Sequence, residues 1–103
     1  MTYHNALSAL ADPTRRSIFE QLRGGERAFA VIAASQRVSK PAVSQHLKAL
    51  REAGLVAVRY EGKRGFFRAN PEGLSALRDY LDSFWTDVLD NFVGYTKQEG
   101  ERS

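Results

Sequence analysis

The residues best placed to do chemistry lie between Val38 and Val56, in the run VSKPAVSQHLKALREAGLV. Val43, Leu47 and Leu50 recur at i, i+4 and i+7 and form one apolar stripe of a helix. The other side carries Ser44, Gln45, Lys48, Ala49 and Glu52, with Lys40 near its start and Arg51 near its end. Such a face is short, polar and cationic. It can approach the edge of a base pair in a major groove without a bulky side chain in the way. A second set of cations follows close behind: Arg59, Lys63, Arg64 and Arg68 fall within ten residues around Gly62 and Gly65. That chemistry suits phosphate. Periodicity alone also fits an ordinary amphipathic surface helix, and a charged hairpin tip also fits a solvated turn. The flanking segments favour nucleic acid in both cases.

The ends of the first stretch are written in residue types. Ser39 can cap the helix through its hydroxyl, and Pro41 sits in the first turn, where a missing N–H costs nothing. Gly54 falls where a left-handed residue ends a helix, and strand-like Leu55-Val56 follows. Residues Leu55 to Glu61 alternate as a strand, and Phe66 to Ala69 supply another. Gly62-Lys63-Arg64-Gly65 connects them, with both glycines expected to supply positive φ.

Three shorter helices precede the reading helix. Tyr3, Leu7 and Leu10 place one over about Tyr3 to Ala11. Asp12-Pro13 opens a second, which runs to about Arg23, buries Ile18, Phe19 and Leu22, and ends at Gly24-Gly25. A third covers roughly Ala28 to Gln36 with Phe29, Ile32 and Ala33 inward. Arg37-Val38 then makes a tight turn into Ser39 without the glycine such turns often use. The sequence offers no account of how Gln36-Arg37 bends. Pro71 opens a last helix expected to reach about Tyr95, with a polar, frayed tail from Lys97. Its apolar residues Leu74, Leu77, Leu81, Phe84, Val88 and Phe92, with Trp85 and Leu89 beside them, form a face too long for one small domain to cover. A second copy of the chain is the simplest cover.

The expected architecture is therefore mainly α with a small β-hairpin: a winged helix-turn-helix of about five helices and a two-stranded wing. At 103 residues it reads as one domain, 1–103, with dimerisation helices at both ends. Charge is segregated. The net +3 of the whole chain divides into a strongly basic middle, Arg37 to Arg68, and an acidic part from Pro71 onward. One surface is expected to face a polyanion and another to face away. The chain has no cysteine, which excludes disulfides, thiolate metal sites and thiol redox sensing. Neither a signal peptide nor a run of about 20 apolar residues is visible, so a cytoplasmic location is expected.

Taken together, ALADPTRRSIFEQL, VSKPAVSQHLKALREAGLV and the wing VRYEGKRGFFRA resemble the ArsR/SmtB family of bacterial winged-helix repressors, from Leu7 to about Leu77. The middle motif is the most specific. The resemblance implies a homodimer paired through the first and last helices that binds an imperfect inverted repeat and blocks transcription. It implies that Ser44, Gln45 and His46 lie at the DNA surface and that Lys63 and Arg64 sit on the wing. Many members sense metals, and here the chain departs from the pattern. Ala28, Ala30 and Ala33 align with the third-helix cysteines; Pro71, Gly73, Phe84 and Asp87 align with the last-helix ligands.

The expected DNA-contacting set is Ser39, Lys40, Ser44, Gln45, His46, Lys48, Arg51, Arg59, Lys63 and Arg64. The expected dimer interface is Tyr3, Leu7, Leu10, Leu77, Leu81, Trp85, Val88 and Phe92. No metal or cofactor is expected. His4 reads as incidental and His46 as a packing and phosphate-contacting residue. Asp79, Asp82, Asp87 and Asp90 could share helix faces, but a solvated acidic face is the simpler reading. No catalytic motif is present, so an enzyme is not expected. The partners are double-stranded DNA and a second copy, with the inducer unidentified. A winged-helix module that docks protein in place of DNA is the alternative, although such a surface would be expected to expose apolar residues.

Overall fold

A computed structural model describes the backbone of residues 3–102 and the side chains of residues 5–92. Five helices and three strands follow in the order α1 (Tyr3–Ala11), α2 (Pro13–Glu20), β1 (Arg27–Ala28), α3 (Phe29–Ala34), α4 (Lys40–Glu52), β2 (Val56–Glu61), β3 (Arg64–Ala69) and α5 (Pro71–Arg102). A 3₁₀ turn over Gln21–Gly24 tightens the end of α2. Helices α1, α2, α3 and α4 enclose a core whose fully buried side chains are Ile18, Ile32, Val43, Leu47, Leu50 and Leu55. Three of these are the α4 stripe read from the sequence.

The start and stop signals act as their chemistry dictates. Asp12 Oδ1 accepts from the Arg15 N–H at 2.9 Å, and Pro13 occupies the first position of α2. Ser39 Oγ accepts from the Ala42 N–H at 3.3 Å and caps α4. At the other end of α4 the Leu55 N–H donates to the Leu50 carbonyl, and the Gly54 N–H donates to the Arg51 carbonyl. Gly54, at φ 78°, is the left-handed residue that this paired closure requires.

The turn between α3 and α4 bends without glycine. Among the described residues no non-glycine residue has positive φ, so the chain turns here through ordinary backbone conformations. The Ser35 hydroxyl donates to the Ile32 carbonyl at 2.7 Å, and the Ser35 and Gln36 N–H groups donate to the Ile32 and Ala33 carbonyls. Helix α3 is thereby stopped at Ala34, two residues before the expected Gln36.

The sheet differs from expectation in two respects. Arg27 and Ala28 pair with Phe67 and Phe66, which adds a third strand and gives the order β1-β3-β2. A two-residue strand has too little pattern to be read from sequence. The hairpin loop is also shorter, since Glu61 pairs with Arg64 and only Gly62 and Lys63 lie outside the strands. Gly62 has φ 61°, as the first position of a type II′ connection requires. Gly65, expected to share that role, pairs with Tyr60 inside the ladder.

Helix α5 continues to Arg102, past the expected end near Tyr95. The intervening Lys97, Gln98 and Glu99 are good helix formers, and no proline interrupts them. Its first turn is fastened by Asn70, whose Oδ1 accepts from the Glu72 N–H and whose Nδ2 donates to the Gly54 carbonyl at 3.0 Å. Contact there is so close that a Cβ added at Gly73 would lie 1.8 Å from the Gly54 oxygen. Past its first turns α5 projects outward, which gives the chain extents of 67 × 26 × 22 Å.

Candidate nucleic-acid interface

Helix α4 divides into two faces along its stripe. Ser44, Gln45, Lys48 and Arg51 are exposed on the outer face, and Lys40 is exposed at its first position. Ser39 is exposed as well, with its hydroxyl engaged as the cap. The wing stands alongside. A groove of about 410 Å³ runs between them, lined by Ser44 of α4, by Tyr60, Lys63 and Arg64 of the hairpin, and by Phe29 and Ala30 of α3. Residues from both cationic motifs, separated in sequence by about one helix and one strand, thus border a single space.

Two residues expected in this set have partners inside the chain. His46 is half-buried on the flank of α4, and its Nδ1 accepts from Arg15 Nε at 3.4 Å. Arg15 also donates to the Ala9 carbonyl at the end of α1. His46 therefore joins α4 to α2 and, through Arg15, to α1. The Asp12 carboxyl beside this pair is held below its usual range, chiefly by the Arg15 N–H and also by the charges of His46 and Arg15.

Arg59 is the second. Its Nε and Nη2 donate to the two oxygens of Glu26 at 2.8 and 2.7 Å, and its Nη1 donates to Glu61 at 2.6 Å. The guanidinium also lies 4.5 Å from the centre of the Phe66 ring. These carboxylates raise its already high pKa further, and hydrogen bonding to Arg59 holds Glu26 low. Arg64 touches the same ring, 5.1 Å from its centre, but projects into solvent, as does Lys63. Glu26 and Arg15 were not singled out by sequence reasoning. Their partners lie 33 and 31 residues away, and no local pattern announces such pairs.

The expected dimer residues fall into three groups. Leu81, Trp85, Val88 and Phe92 are exposed along one side of α5, with Phe84 and Leu89, and Trp85 and Phe92 reach 59% and 64% exposure. Leu7 on α1 is exposed too, at 41%. Leu77 and Leu10 differ, because Leu77 is buried in the chain's own core and Leu10 packs against it. Helix α1 packs against α5, and the core that Leu77 joins includes Ala6 and Ala9 of α1. The side chains of Tyr3 and His4 lie outside the described residues. Among the described residues no three His, Cys, Asp or Glu side chains gather as a metal site would need, and no helix is long and apolar enough to cross a membrane.

A capped reading helix beside a basic wing defines a winged helix-turn-helix DNA-binding domain. The chain belongs to the ArsR family of bacterial regulatory proteins, whose model matches residues 12–58. It is 47% identical over 96 residues to the HTH-type transcriptional regulator Rv2034 of Mycobacterium tuberculosis, covering 93% of this chain and 90% of that relative. It is 34% identical to the transcriptional repressor SdpR of Bacillus subtilis, covering 79% of this chain and 90% of SdpR. Among solved structures, a possible transcriptional regulator for arsenical resistance superposes with a TM-score of 0.72 at 44% identity, covering 85% of this chain and 92% of that one. The homodimeric winged helix-turn-helix DNA-binding domain of a possible ArsR-family regulator from Mycobacterium bovis superposes with a TM-score of 0.65 at 31% identity, covering 82% and 78%. The chain is thus a transcriptional regulator, a class without catalytic activity.

Proposed function

We propose that this chain is a homodimeric repressor that binds an inverted-repeat operator in duplex DNA, with one α4 in each of two major grooves. The observation that carries the reading is the shared groove, where Ser44 of α4 faces Lys63 and Arg64 of the wing across one space. Gln45 and Lys48 continue the α4 face, with Lys40, Ser39 and Arg51 at its ends, as the sequence-reading and phosphate-contacting residues. Lys63 and Arg64 supply phosphate contacts from the flank. The exposed α5 row from Leu81 to Phe92, with Leu7, is the surface for the second copy. The repressor SdpR and the homodimeric Mycobacterium bovis domain support this assignment. The protein acts in the cytoplasm, where its DNA lies.

Soft thiophilic ions do not act as inducers in this reading, since the chain has no cysteine to bind them. Two-fold symmetry places the half-sites about 10 bp apart, or a multiple of that spacing. Footprinting on a duplex selected from a random pool tests the proposal. Paired, symmetry-related protection is expected; protection of one unsymmetrical half-site contradicts it.

A further inference from the structure

We infer that Arg59 is a positioning residue of the wing and not one of its phosphate contacts, and that Glu26 is the anchor through which it acts. The inference rests on the DNA-binding reading above. It begins from how weakly the wing is tied to the rest of the chain. A two-stranded hairpin has little stability of its own, and β1 contributes only the pairs Arg27–Phe67 and Ala28–Phe66. Arg59 stands on β2 opposite Phe66 of β3. From there its guanidinium crosses the Phe66 ring and reaches Glu26, the residue just before β1. One side chain therefore ties β2 to β3 and to the residue that leads into β1. Arginine suits the task because its planar fork meets both carboxylate oxygens at once.

The same contacts make Arg59 a poor ligand for DNA. Three of its five N–H donors are committed to carboxylates. Glu26 and Glu61 together offset the charges of Arg59 and of Arg68, whose charge also acts on Glu26, so this group offers an approaching phosphate no net positive charge. At the tip, Lys63 and Arg64 carry two positive charges, and neither forms an ion pair among the described residues. The wing's positive charge is thus concentrated at its tip, and the brace fixes where that tip stands relative to Ser44.

The test measures binding to a random-sequence duplex and to a duplex selected from a random pool, across a salt series. Lys63→Ala is expected to reduce the slope of log K against log salt by about 0.9, the signature of one phosphate no longer neutralised. Arg59→Ala is expected to leave that slope unchanged. Arg59→Ala and Glu26→Gln should each lower the preference for the selected duplex, by about two- to tenfold. The double variant should lose no more than the worse single one, because both break the same pair. Arg59→Gln serves in the same way if the alanine variant does not fold. A slope reduced by one phosphate in the Arg59 variants, or effects that multiply in the double variant, overturns the inference. If the unaltered protein binds neither duplex in a salt-dependent way, the DNA-binding reading itself fails; a flattened slope in the Arg59 variants alone leaves that reading standing.

Discussion

The two ends of this chain's function are built on opposite terms. Around α4 and the wing, the groups that set the geometry are held within the chain: Ser39 caps the helix, Gly54 closes it, Arg15 holds His46, and Glu26 holds Arg59. What remains exposed is a short row of polar and cationic side chains. Along α5 the apolar surface is left open from Leu81 to Phe92. The first surface is organised before any partner arrives. The second is apolar and open in the single chain. A reader of DNA gains from the former, because ordering costs are met on folding, and an obligate assembly surface tolerates the latter.

The sharpest way to break this contrast is to charge the open face. Leu81→Glu would bury an unpaired carboxylate if α5 meets a second copy, a cost on the order of several kcal/mol. Sedimentation is expected to show monomers, with operator affinity lost alongside. An unchanged dimer would move the interface onto α1 around Leu7.

A smaller effect is expected where the two regions join. Gly73→Ala would drive a Cβ against the Gly54 carbonyl, so the start of α5 must shift off the end of α4. Overpacking of this kind costs about 1–3 kcal/mol, read as a lower midpoint in thermal unfolding. A variant as stable as the parent would show that the junction is loose.

The smallest expected effect is on pH. Glu26 is held below its ordinary value of 4.5 by Arg59, and Asp12 below 3.8, chiefly by the Arg15 N–H. Each depressed carboxyl contributes stability above its unfolded value, and that contribution disappears as the pH falls through the lower folded value. Acidification below about 4.5 should therefore lower the melting temperature of the parent more than that of Glu26→Gln. Equal slopes would mean that the brace adds nothing to folded stability, as is common for exposed ion pairs.

Much of this could be read from residue types because the signals are local. Asp12-Pro13, Ser39 with Pro41, and Gly54 each mark a helix end by their own backbone chemistry, and Val43, Leu47 and Leu50 mark a buried stripe by spacing alone. What could not be read depends on distant partners. The strand at Arg27–Ala28 exists only because Phe66 and Phe67 arrive beside it. Arg59 looks like any wing cation until Glu26 is placed next to it, and Leu77 looks like part of the open face until it joins the core with Ala6 and Ala9 of α1. The run of α5 beyond Tyr95 went unread for a simpler reason, since a polar helix end carries no apolar pattern to mark it.

The central claim is that α4 reads sequence while the wing tip supplies charge, and one paired titration tests it most directly. Affinities of Gln45→Ala and of Lys63→Ala/Arg64→Ala are measured on the selected duplex, on single base-pair variants of it, and on random DNA over a range of salt. Gln45→Ala is expected to relax preference at one base pair, by about 1–3 kcal/mol for a bidentate contact, with the salt slope unchanged. The wing variant is expected to weaken every duplex alike and to flatten the slope by about 0.9 for each phosphate left without its cation. A Gln45→Ala protein that bound selected and random DNA more weakly by the same factor, or a wing variant that changed base preference at an unaltered slope, would contradict the claim.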